Sequence, residues 1–145
     1  MPNGKEPPVK LLKDTHVLRL AYTASSDYVM FLAFQRIKEL QVFRDNKATA
    51  PYILKQYTSV MDRISDPVIL GAHLYALELT GAKADLRKAL VDTLSHKKLR
   101  QDTMITQLAG KMAFRLLQRK IPPTKDLNNQ ELDGIRDALR KEVMP

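Results

Sequence analysis

The sequence predicts an all-α fold, a compact bundle of about six to seven short helices. Apolar residues recur at three- and four-residue spacing along nearly the whole chain, the period that lines one face of a helix. A helix-start grammar repeats, with a small polar residue just ahead of a proline or a good helix former. Alternating apolar and polar residues bounded by turns, the mark of a strand, are nearly absent. The one strand candidate, "HVLRLAYT", reads equally well as a helix with Leu11, Thr15, Leu18 and Tyr22 on one face.

Residues 1–8 carry Pro2, Gly4, Pro7 and Pro8 and are expected to form a flexible N-terminal arm. Residues 9–145 are expected to form a single helical domain. A first helix is predicted over Val9–Tyr22. Ser25 and Ser26 offer caps for a second, about Asp27–Phe43, which opens on the apolar run "YVMFLAF". After the polar loop "RDNKAT", Pro51 takes a first-turn position behind the candidate cap Thr49. That third helix runs to Ile64, with Ile53, Tyr57, Val60 and Ile64 on one stripe. Ser65 or Asp66 caps the fourth and Pro67 opens it. Residues 67–79 are apolar nearly all round, so this helix belongs at the centre, and Gly81 supplies its stop. The fifth, Ala84–His96, buries Leu86, Leu90 and Leu94. The sixth is predicted over Asp102–Arg119, with Pro122 and Pro123 as its terminators. Asn128 and Glu131 form a capping-box variant opening the last helix, whose apolar face is Leu132, Ile135 and Leu139. Helix starts at Asp66, Asp85 and Asp102 are evenly spaced, so a short HEAT-like helical stack is the alternative architecture.

At 145 residues the chain is the size of one domain, and 44% apolar residues suffice for a core. It has no cysteine, which excludes disulfides, zinc ribbons and thiol catalysis. The longest apolar run, Tyr28–Phe34, falls far short of the roughly 20 residues of a membrane helix. The stretch "MPNGKEPPVK" holds no apolar signal core. These features predict an intracellular protein, cytoplasmic, nuclear or virion-associated, with no membrane partner.

Net charge is +8, and its location matters more than its size. Residues 82–121 hold ten basic groups (Lys83, Arg87, Lys88, Lys97, Lys98, Arg100, Lys111, Arg115, Arg119 and Lys120) against Asp85, Asp92 and Asp102, a local 10 − 3 = +7. On the sixth helix, Ile105, Leu108, Ala109, Met112 and Leu116 share one sector. Gln107, Lys111, Arg115 and Gln118 form the opposite strip. Ala109, Gly110 and Ala113 are small enough for another helix to cross closely. Lys111, Arg115 and Arg119 at four-residue spacing repel one another on a bare helix. If the fifth and sixth helices form a hairpin, their basic strips merge into one phosphate-binding face. The ten residues are therefore the predicted nucleic-acid-binding set, RNA or DNA being the expected partner, with Gln107 and Gln118 adding hydrogen bonds. The plain structural reading is a solvated helix face, with Arg119 and Lys120 answering the helix dipole.

Other constellations are weak. His16, His73 and His96 are far apart. Asp92 and His96 are spaced for a local hydrogen bond, with no second pair to complete a metal site. His73 is expected in the core, and Glu78 at the helix rim or as a buried acid. "GAK" and "AGK" lack the remainder of a phosphate loop. Tyr22, Tyr28, Phe31, Phe34, Tyr57 and Tyr75 read as core, while Phe114 projects toward the polar side of its helix, against a neighbouring helix or as a stacking ring. No catalytic set, metal site or cofactor is predicted. The expected function is a non-enzymatic nucleic-acid-associated protein, such as a small subunit of a ribonucleoprotein or a viral or phage assembly. The alternative is a protein-interaction adaptor whose basic face docks on an acidic partner; a protein partner or a homo-oligomer is the further partner expectation.

Overall fold

The computed structural model describes residues 38–63, 66–122 and 126–142. Helix occupies 77% of it, and no strand occurs among the described residues. Five α-helices are present among the described residues: α1 Ala50–Val60, α2 Pro67–Thr80, α3 Lys83–Ser95, α4 Thr103–Leu116 and α5 Asn129–Lys141. They are the predicted third to seventh helices. The count of six to seven is not met. The predicted arm and first helix lie outside the described residues, and the described end of the second, Lys38–Phe43, is a 3-10 turn. Further 3-10 turns, Lys47–Thr49 and Leu99–Gln101, lead into α1 and α4.

Local chemistry explains most of the boundaries. The Asp66 carboxylate accepts from the Val68 N–H and Pro67 opens α2. Gly81 closes that helix in the left-handed conformation, at φ 78°. Asp102 caps α4 by accepting from the N–H groups of Met104 and Ile105. Asn128 and Glu131 form the complete reciprocal capping box of α5. Thr49 does not cap α1: its hydroxyl donates to the Asn46 carbonyl instead. Nor do the prolines end α4. The helix stops at Leu116, where Gln118 enters the left-handed region at φ 56°. The Arg119 N–H then bonds the Phe114 carbonyl and the Gln118 N–H that of Arg115, a Schellman closure. A left-handed residue that is not glycine leaves no signal in the sequence.

The core forms around α2, which is buried from Leu70 through Leu77. Helix α3 packs against all four other helices, α2 also meets α1 and α4, and α5 lies on α3 and α4. Ile53, Tyr57 and Val60 of α1 are buried, as are Leu86, Leu90 and Leu94 of α3 and the face Leu132, Ile135 and Leu139 of α5. Ile64 lies outside the described residues. The close crossing predicted on α4 is present. A Cβ on Gly110 would fall 2.7 Å from both Leu127 Cδ1 and Leu132 Cδ2. No larger side chain fits there without displacing both leucines.

Polar side chains inside the core find partners. His73 is fully buried, with Nδ1 2.7 Å from the Ile69 carbonyl and Nε2 3.0 Å from Gln56 Nε2. A carbonyl only accepts, so Nδ1 carries the proton and Nε2 receives the Gln56 amide. The Thr93 hydroxyl donates to the Ala89 carbonyl and accepts from the Tyr57 phenol at 2.6 Å. Burial pushes the Tyr57 phenol far above its ordinary range.

Candidate nucleic-acid interface

The ten predicted residues do not form one face. Eight of them divide between the two ends of the bundle, which the 13 residues of α3 hold apart. That length of helix separates Lys83 from Lys97 by about 20 Å at the α-helical rise. At one end, where α3 finishes and α4 begins, lie Lys97, Lys98 and Arg100. At the other, where α3 begins and α2, α4 and α5 finish, lie Lys83, Arg87, Arg115, Arg119 and Lys120. Lys88 is one turn into α3 and exposed, and Lys111 is on the middle of α4 and half-buried.

Arg100 serves the fold. Its Nη1 donates to the Leu94 carbonyl at 3.0 Å and to Asp133 Oδ1 at 2.7 Å, and its Nη2 to Asn129 Oδ1 at 3.1 Å. The side chain is only 17% exposed, which leaves its guanidinium turned inward. It ties an orphan carbonyl at the end of α3 to the first two turns of α5. The same bond holds the Asp133 carboxyl below its usual range. His96 is similarly committed. Its Nδ1 accepts from the Leu99 N–H, so Nε2 carries the proton. That Nε2 donates to Asp62 at 2.8 Å. This contact, from the end of α1, replaces the expected Asp92 pairing. Lys97 and Lys98 are exposed beside it.

The opposite end is built differently. The Arg115 Nη2 donates to both carboxylate oxygens of Glu78, at 3.2 and 3.4 Å. Arg119 pairs with the Glu142 carboxylate, while Arg87 donates to the Glu142 backbone carbonyl at 3.2 Å. Among the described residues, Arg115 thus answers Glu78, Arg87 and Arg119 meet at Glu142, and Lys83 lines the cleft beside Glu78, with Asp85 in the first turn of α3 a third acid at this end. Cations gather here for an elementary reason. Three helices present their negative dipole ends, and long cationic side chains offset them. Glu142 carries no signal in the sequence, because its partners are 23 and 55 positions away.

Between α2, α3 and α4 this end opens into a cleft of about 320 Å³. Leu77, Leu86 and Leu116 form its apolar floor, and Glu78, Lys83, Arg115 and Gln118 its polar rim. Burial pushes the Glu78 carboxyl up, and the Arg115 guanidinium partly opposes the shift. Gln118 keeps its predicted place at the polar rim. Gln107 does not: it is buried at 3% exposure. It clamps the Leu127 backbone, donating to its carbonyl at 2.8 Å and accepting from its N–H at 2.7 Å. Phe114 is half-buried against the core.

Among the described residues no three His, Asp or Glu side chains stand together as a metal site, and no helix is long and apolar enough to cross a membrane. No family model matches this chain, and neither a curated protein nor a solved structure matches it.

Proposed function

We propose that this chain is a non-enzymatic, nucleic-acid-associated helical protein that grips phosphates through the basic end formed by Lys83, Arg87, Arg115, Arg119 and Lys120. The observation that supports this reading is the clustering of Arg115 on Glu78 and of Arg87 and Arg119 on Glu142 at the end of the bundle where Lys83 and Lys120 also lie. An excess held in one place focuses positive potential on a polyanion, where the same charges spread over a surface would not. The carboxylates keep the arginines extended and ordered in the unbound protein, so less side-chain entropy is lost when phosphates are met. Lys97 and Lys98, at the far end, lie outside this footprint, and Arg100 is a structural fork.

The test is fluorescence anisotropy with a labelled mixed-sequence DNA duplex across a salt series. About five phosphate contacts give a log–log slope near −4.5, or a loss of about 500-fold between roughly 50 and 200 mM salt. Lys83→Glu combined with Lys120→Glu is expected to weaken binding and to reduce the slope by about 2. Lys97→Glu combined with Lys98→Glu is expected to change neither. A flat salt dependence, or equal losses from the two double variants, refutes the assignment. Retained nucleic-acid binding with loss of an acidic protein partner in the first variant favours the adaptor instead.

A further inference from the structure

We propose that the cleft between α2, α3 and α4 seats a single unpaired guanine nucleotide, the base lying on Leu86 and Leu116 and its Watson–Crick edge donating to Glu78. This rests on the nucleic-acid reading and names what that end of the bundle would select. The cleft volume, about 320 Å³, is at the small end of ligand sites and suits one nucleotide unit rather than a helix or peptide. Its floor is apolar and its polar groups are few and convergent, as in sites that hold one flat ligand in one orientation.

The arrangement of charge separates the two halves of such a ligand. Among the described residues, Glu78 receives side-chain bonds from one nitrogen, Arg115 Nη2, and a carboxylate has lone pairs for more than these two bonds. A carboxylate flanked by an apolar floor accepts adjacent N–H groups, and guanine presents two, at N1 and at the 2-amino group. Uracil presents one N–H between two carbonyl oxygens, which a carboxylate repels. The phosphate faces Lys83, at the first residue of α3. Ala82 offers that helix no side-chain cap, so backbone N–H groups of its first turn face the same point, with Asp85 in that turn partly offsetting the dipole. Gln118, held in the left-handed conformation, brings an amide to the rim that a helical residue would carry elsewhere. Recognition of splayed bases by stacking and edge hydrogen bonds is the usual route to sequence preference on single strands.

Isothermal titration of the whole chain with guanosine monophosphate, uridine monophosphate and inorganic phosphate decides it. Guanosine monophosphate is expected to bind about tenfold or more tightly than either of the others. Glu78→Gln is expected to erase the preference over uridine monophosphate. Lys83→Ala, an exposed change, is expected to weaken both nucleotides alike. Equal affinity for the two nucleotides, inorganic phosphate binding as tightly as guanosine monophosphate, or no nucleotide binding overturns the proposal. A steep salt slope for duplex alongside any of those results leaves the phosphate-gripping end standing. Nucleotide binding with a flat duplex slope overturns that end alone.

Discussion

Replacing Gln107 with leucine keeps the side-chain volume and removes both bonds to Leu127. The Leu127 N–H and C=O then remain buried, since Leu127 is 5% exposed and Gln107 itself 3%. An unpaired buried backbone group costs about 1–3 kcal/mol, and the new apolar side chain recovers part of that. The net loss is about 3 kcal/mol, which lowers Tm by about 10 °C for a chain of this size. Urea unfolding followed by circular dichroism measures it as a shifted midpoint at constant m. Gln107→Glu adds a signature that packing loss cannot imitate. At neutral pH a carboxylate oxygen faces the Leu127 carbonyl, so the folded state favours the protonated acid and raises its pKa. Stability is therefore regained below the ordinary glutamate value of about 4.3 and lost as pH rises through the folded value. Two results refute the clamp as a source of stability. One is a leucine variant within about 0.5 kcal/mol of the parent, the span of an ordinary surface substitution. The other is a glutamate variant whose midpoint parallels the parent's across pH.

Arg100→Lys is expected to cost about 2 kcal/mol by chemical denaturation, because an ammonium cannot reach Leu94, Asn129 and Asp133 in one plane. A loss below about 0.5 kcal/mol, no more than a surface substitution gives, would mean that the fork is ornamental. Burial raises the Glu78 carboxyl above its ordinary range, so over the pH interval just above that range the folded state holds more of its proton than the unfolded state does. Stability contributed by this group falls as pH rises from there through the folded value. Glu78→Gln should flatten that segment of the stability profile, and an unchanged slope there would contradict the burial.

What the sequence reveals and what it hides differ by the reach of the interaction. Asp66, Pro67, Gly81 and the pair Asn128–Glu131 act within four residues, so their roles are readable from the letters alone. The apolar stripes of α1, α3 and α5 follow helical period and are equally plain. The division of the basic residues between two ends is not readable in this way. Arg100 answers Asp133 at a separation of 33, and Arg115 answers Glu78 at 37. Counting charge along a window finds the ten cations but not the acids that fold back onto Arg100, Arg115 and Arg119. Gln107 escapes the sequence for a related reason. A helical wheel shows which direction a side chain faces, not that the segment around Leu127 covers that direction. The end of α4 is hidden because prolines are conspicuous and a left-handed glutamine is not.

The Tyr57 phenol hands its hydrogen to Thr93, and Thr93 hands its own to the Ala89 carbonyl. The succession runs one way and finishes on an oxygen that has nothing to pass along. It is a rivet between α1 and α3 with fixed polarity. Reversing it would require Thr93 to abandon its own helix, so both hydroxyl hydrogens should be slow to exchange and visible as sharp resonances in a cold sample.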